Sequence, residues 1–134
     1  MQKRFLVFSG ISGAIAVALG AMAAHYLESK LDGVLLTERN IQTFETAARY
    51  QMYHSLVLVA VVFLFEKFNP KMLAKAGYCF MAGIVLFSGS LYLLSTAKLM
   101  GLTTVKWLGP ITPIGGLFFI AGWIFLALAP IKKK

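Results

Sequence analysis

The chain has 134 residues, of which 59% are hydrophobic and only 13% charged, with a net charge of +8. Its mean hydropathy is +0.78. A soluble domain carries about 25% charged residues, and so short a chain cannot hide this much apolar surface in one core. A soluble globule is therefore excluded, and lipid is the solvent that remains. The basic residues flank apolar runs, as membrane proteins use them, so nucleic acid is not the expected partner. A single cysteine, Cys79, excludes an internal disulfide and argues against a thiolate metal cluster. One transmembrane domain over residues 1–134 is expected, with no linker, repeat or low-complexity tract.

Four runs are long enough to cross a hydrocarbon core, which takes about 20 residues. They cover about 5–26, 47–65, 76–97 and 113–131. The first, with Lys3-Arg4 before it and Ala21-Met22-Ala23 near its end, has the look of a cleavable signal peptide. It is longer than an h-region of about 7–15 residues, so it is read as a helix. Residues 28–46 form the one sizeable polar connection. There Ile41, Phe44 and Ala48 recur at helical spacing, Glu45 and Arg49 form an i,i+4 pair, and Thr37 or Asn40 offers a cap. An outer amphipathic helix is expected, lying on the membrane or running straight into the second span. Asn69-Pro70 marks the next turn. Thr112-Pro113 supplies an N-cap and a first-turn proline for the fourth span. The fold class is thus all-α, an integral membrane four-helix bundle.

Orientation follows the positive-inside rule. Lys3, Arg4, Lys67, Lys71, Lys75, Lys132, Lys133 and Lys134 fall on one side, against Lys30, Arg39, Arg49, Lys98 and Lys106 on the other. Both termini are expected in the cytoplasm. Four of the five acids, Glu28, Asp32, Glu38 and Glu45, lie on the outer side.

Helices in lipid associate through close approach at small residues and through interhelical hydrogen bonds. Lines of small residues at a spacing of seven recur: Ala76, Gly83, Ser90 and Ala97; Gly115, Gly122 and Ala129; Ser9, Ala16 and Ala23; and Gly13 with Gly20. Such a repeat implies a left-handed seam. Ser88, Tyr92 and Ser95 sit on nearly the opposite face from Ser90. Counting about 1.5 Å per residue from Phe65 and from Ala76 puts His54 and Ser88 level, at roughly 16 and 18 Å. The expectation is that Ser90 packs while Ser88 and Tyr92 meet the second helix near His54.

Candidate ligand-binding residues are therefore His25, Arg49, Tyr50, His54, Ser88 and Tyr92, converging in the outer half of the bundle, because ionisable groups at depth face the interior or a wet cavity. Gly115 and Gly116 join them, since a helix N-terminus offers N–H groups to an anion. The competing reading of His54 is structural, a hydrogen bond to a neighbouring helix. Tyr26, Tyr53 and Trp107 read as aromatic-belt residues, and Trp123 as a mid-membrane packing or cavity residue.

Several stretches taken together carry a resemblance: Gly20–His25 (GAMAAH), Tyr50–His54 (YQMYH), Leu86–Tyr92 (LFSGSLY), Ile111–Leu117 (ITPIGGL) and Ala121–Trp123 (AGW). In order and spacing they resemble the YgdD/YwdK family of small bacterial inner-membrane proteins, domain of unknown function 423, over essentially the whole chain. Met22 and Ala23 stand where that family usually has Phe and Gly. The resemblance implies a bacterial inner-membrane protein and brings no activity with it.

Three functions compete. The first is a non-catalytic multi-pass protein that packs, binds lipid, or joins a second copy or another membrane protein. The second is a binding or transport module for a small polar molecule or ion, using the outer-half pocket. The third is a redox module with His25 and His54 as haem ligands, which their unequal depths disfavour. An enzyme is not expected, because no core acid orients a histidine and no Ser-His-Asp set is present. No metal or cofactor is expected either.

Overall fold

In the computed structural model, which describes residues 1–30, 33 and 36–131, each expected run is helical over most of its length. The chain runs through α1 (Gln2–Met22), a wide π turn (Ala23–Leu27), α2 (Glu38–Leu64) and α3 (Pro70–Gly83). A second π turn (Ile84–Ser88) leads into α4 (Gly89–Thr96), then a short 3₁₀ turn (Lys106–Leu108) and α5 (Ile111–Leu128). Four helices are long and apolar enough to cross a membrane: Gln2–Leu27, Glu38–Leu64, Pro70–Thr96 and Lys106–Leu128. Asp32, Lys132, Lys133 and Lys134, used above for charge balance, lie outside the described residues.

The helix ends follow local chemistry. Thr37 caps α2 in a reciprocal box: its hydroxyl accepts from the Asn40 N–H at 3.3 Å, and Asn40 Oδ1 accepts from the Thr37 N–H at 3.0 Å. The amphipathic stretch after Thr37 is thus the opening of α2 and runs straight into the second span rather than forming an element of its own. Asn69 caps α3, accepting from the N–H groups of Lys71 and Met72, with Pro70 at the first helical position, where no donor is missed. Past α4, the N–H of Gly101 bonds Lys98 O and that of Leu102 bonds Ala97 O. This Schellman closure needs a left-handed residue, and Gly101 supplies it with φ 70°.

The cap expected at Thr112 is not used. Helix α5 begins at Ile111 behind Pro110, and no side chain caps it. The Thr112 hydroxyl instead meets Ser90 Oγ at 2.6 Å. An interhelical partner inside the bundle wins over a local cap there.

The bundle has an inner pair and two flanks. Second and third spans pack on each other, α1 lies mainly against α2, and α5 lies against α3 and the following π turn. Of the most apolar window of each span, 39% and 33% is buried in the second and third, against 22% and 17% in the first and fourth. The core runs through Phe5, Leu58, Val61, Leu73, Phe80, Ile84 and Phe119. A second cluster of Ala23, Leu27, Leu36, Ile41 and Phe44 closes the far end. Leu6, Val7, Ile11, Leu56, Phe63, Val85, Leu117, Ile120 and Ile124 point outward, as lipid-facing side chains do and as a water-facing surface would not.

Three of the four small-residue lines are packing seams. Ala76, Gly83, Ser90 and Ala97 are buried, as are Gly115, Gly122 and Ala129, and Ser9, Ala16 and Ala23. Gly13 and Gly20 are not part of one, because a Cβ at either would meet nothing within 4 Å. Both are half-buried rather than buried. Both ends of the described chain lie by the α2–α3 turn. Met1 and Gln2 share a cleft with Phe65 and Pro70, and the Asn69 N–H donates to Ala129 O.

Candidate functional site

The eight candidate residues do not form one pocket. They divide among a polar lock, an aromatic groove, a glycine seam and the surface.

The lock joins α1, α2 and α4. Gln51 lies on α2 among small and apolar neighbours and is buried. Its Nε2 donates to Ser12 O at 2.9 Å and lies 3.3 Å from Ser12 Oγ. Its Oε1 accepts from the Tyr92 hydroxyl at 2.7 Å. Ser55 Oγ lies 2.8 Å from Ser12 Oγ and 2.7 Å from Gln51 O, and Ser9 Oγ donates to Ser55 O at 2.7 Å. One turn further out, Ser88 Oγ donates to Ala47 O at 2.8 Å. The Tyr92 ring packs edge-on against Phe44 with centroids 4.7 Å apart. In lipid an unpaired polar group has no water to fall back on, so this degree of pairing is what the medium demands. Among the described residues, no buried side-chain nitrogen or oxygen lacks a partner.

Ser88 and Tyr92 therefore do meet the second helix, on the face away from Ser90, but their partners are Ala47 and Gln51 rather than His54. The depth count explains the difference. Helix α3 starts at Pro70, so Ser88 stands roughly 27 Å above its start, while His54 is roughly 15 Å above the end of α2. Ala47, at roughly 25 Å, is the level neighbour of Ser88. Tyr92 reaches Gln51 because helical side chains lean toward the N-terminus, here toward the bundle middle.

His54 faces the other way, toward α5. Its Nδ1 lies 2.7 Å from Tyr50 O, and its Nε2 lies 3.3 Å from the indole nitrogen of Trp123. A carbonyl only accepts and an indole N–H only donates, so the proton sits on Nδ1 and Nε2 is the acceptor. The ring stacks on Phe119, with centroids 3.6 Å apart and planes 9° from parallel. Both ring nitrogens are thus engaged, and a haem iron would have to displace Trp123 or break the bond to Tyr50. The imidazole lines a groove of about 650 Å³ between α2 and α5, together with Tyr50, Tyr53, Phe87, Gly116 and Trp123. Tyr53, read from sequence as an aromatic-belt residue, lines this groove. Tyr26 and Trp107 are exposed near the far end.

Of the remaining candidates, His25, Arg49 and Gly115 stand apart from this groove, while Gly116 lines it. His25 is exposed on the first π turn. Arg49 is exposed and 3.9 Å from Glu45. Gly115 and Gly116 fall in the second turn of α5, beyond the first four N–H groups that a helix leaves free. They offer no anion cradle. Gly115 is a contact point instead, since a Cβ there would strike the backbone nitrogen and Cα of Phe87. Among the described residues no three His, Cys, Asp or Glu side chains converge as a metal site.

Gln51, Ser12 and Ser55 are not among the candidates read from the sequence. An amide in mid-span, level with hydroxyls on the preceding span, was the available signal, because such a group must find a partner.

No solved structure matches the chain. The family described as "Protein of unknown function (DUF423)" matches residues 19–116. The UPF0382 membrane protein YwdK of Bacillus subtilis is 41% identical over 132 residues, 98% of each chain. A UPF0382 membrane protein of Staphylococcus epidermidis is 41% identical over 131 residues, again 98% of each. One of Haemophilus influenzae is 36% identical over 134 residues, covering 100% of this chain and 98% of its own. Near-complete coverage, four apolar spans and a lipid-facing exterior agree: the chain is a multi-pass membrane protein and belongs to the DUF423 family.

Proposed function

We propose that this protein is a non-catalytic, lipid-binding module of the bacterial inner membrane with both termini in the cytoplasm. One observation carries the reading: the buried hydroxyl, amide and imidazole groups of the described spans are all spent on partners inside the bundle. The open surfaces between spans are largely apolar grooves of a kind that acyl chains fill. The eight-to-five bias of basic residues supports the orientation.

Native mass spectrometry of the detergent-extracted protein, with an absorbance spectrum, tests the first part. Retained phospholipid and no visible chromophore are expected, and a Soret band or a stoichiometric polar metabolite would overturn it. For topology, a Cys79→Ser background takes Lys30→Cys or Lys134→Cys, labelled on intact cells with an impermeant thiol reagent. Labelling at position 30 alone is expected, and labelling at 134 alone reverses the orientation.

A second reading, a binding module for a small aromatic or amphipathic molecule, is favoured by the groove around Tyr50, His54 and Trp123. Quenching of Trp123 fluorescence by a bound ligand, lost in Trp123→Phe, would identify it.

A further inference from the structure

The end of the bundle that carries the α2–α3 turn holds a feature the spans themselves do not explain. A cleft of about 690 Å³ opens there between the start of α1 and the start of α3, lined by Lys3, Phe65, Pro70, Lys71, Ala74 and Lys75, with Gln2 and Met1 at its edge. Three lysines from two spans line one cavity with no acid among its lining residues, and Glu66 lies in the adjoining cleft that shares Phe65, Pro70 and Lys71. Lys71 and Lys75 stand i,i+4 on α3, a like-charge spacing that mildly destabilises a helix and that a bound anion offsets. Among the described residues the one ion pair is Arg49–Glu45, at a different level of the bundle. Lys75 Nζ lies 5.4 Å over the Phe125 ring, a contact that orients the chain without neutralising it. The backbone donors at the start of α3 are already taken by the Asn69 side chain, so the lysines are the cleft's main donors.

The rest of the lining is apolar. Phe65, Pro70 and Ala74 form a floor under the charges, at the level where helix ends meet the headgroup region. A cavity that is cationic at its mouth and greasy below matches an amphiphile with an anionic head. Basic pockets between spans on the cytoplasmic side are a known way to hold such headgroups. The geometry points to this cleft as a binding site for an anionic phospholipid of the cytoplasmic leaflet, its phosphate between Lys3, Lys71 and Lys75 and its chains along the flank of the bundle. The assignment rests on the lipid-binding reading above and adds headgroup selectivity to it.

The test uses the full chain in detergent, with phosphatidylglycerol and phosphatidylcholine supplied in equal amounts and adducts counted by native mass spectrometry. The expected result is a preference for phosphatidylglycerol that falls about fivefold per lysine removed in Lys71→Gln/Lys75→Gln. Lys71→Arg/Lys75→Arg should restore it, and Lys98→Gln/Lys106→Gln at the opposite end should leave it unchanged. If the double variant does not fold, Lys3→Gln on the other span reads the same loss. Equal retention of both lipids, or equal loss in the Lys98/Lys106 variant, overturns the site while leaving lipid binding intact. Displacement of the lipid by millimolar inorganic phosphate overturns it in favour of a free phosphate ligand. No retained lipid of either kind overturns the lipid-binding reading, and this site with it.

Discussion

The third span is held on its two sides by different means. Toward α2 it uses hydrogen bonds: Ser88 to Ala47, and Tyr92 to the Gln51 hub that also ties down Ser12 on α1. Toward α5 it uses close approach. Gly83 receives the Phe119 ring, Gly122 receives Phe80, whose Cε1 would lie 2.7 Å from an added Cβ, and Gly115 abuts the Phe87 backbone. Ser90 and Thr112 add one hydrogen bond at the outer end of that seam. Both devices replace the hydrophobic drive that lipid removes. They differ in how they fail. A lost hydrogen bond in a bilayer costs about 0.6 kcal/mol on average, because the freed group finds other partners. An added side chain in a packed seam costs about 1–3 kcal/mol or more, because the helices must part.

The comparison is broken most directly at Gly115. Gly115→Leu should give the largest loss of thermal stability in detergent, beyond about 3 kcal/mol, since backbone rather than a mobile side chain blocks the space. Gly83→Leu should follow at about 1–3 kcal/mol, because the Phe119 ring can swing partly aside. Val85→Leu, on the exposed face of the same turn, should be near neutral. Equal midpoints for the Gly83 and Val85 variants would remove the seam from the argument.

The polar side should respond less. Gln51→Leu strands Tyr92 and Ser12 together and is expected to cost about 1–2 kcal/mol, the upper end for membrane hydrogen bonds. A double-mutant cycle with Tyr92→Phe sharpens this, and a coupling energy of zero would mean that Gln51 and Tyr92 do not act as a pair. His54→Phe keeps the stack on Phe119 and loses the bonds to Tyr50 and Trp123, for about 1 kcal/mol at the average of about 0.6 kcal/mol per bond. Ser88→Ala should be the smallest effect, at or below that value, because Ala47 O is also engaged within its own helix. Should Gln51→Leu prove more damaging than Gly115→Leu, the ranking of the two devices is reversed.

Composition, span number and the small-residue seams were legible in the sequence because each depends on a local rule. A span must be apolar over its length, and a seam needs small residues about every seventh position, so Ala76, Gly83 and Ser90 announce themselves without a partner in view. Thr37 did the same for the start of α2, whereas Asn69-Pro70 read only as a turn and in fact opens α3. The division of labour between Ser90 and the Ser88–Tyr92 face also followed from helical periodicity alone. Which residue lies opposite which did not. That depends on where each helix begins and on its azimuth, and an offset of six residues at the start of α3 moves every cross-helix pair by roughly 9 Å. Two π turns reset the faces beyond them, and nothing in the apolar runs marks their positions. So only the tertiary structure turned His54 toward Trp123 instead of Ser88, made Gln51 the hub, and moved Gly115 from a helix N-terminus to a packing contact. A polar group in lipid must find a partner, which sequence can state; the identity of that partner is decided by the packing of whole helices.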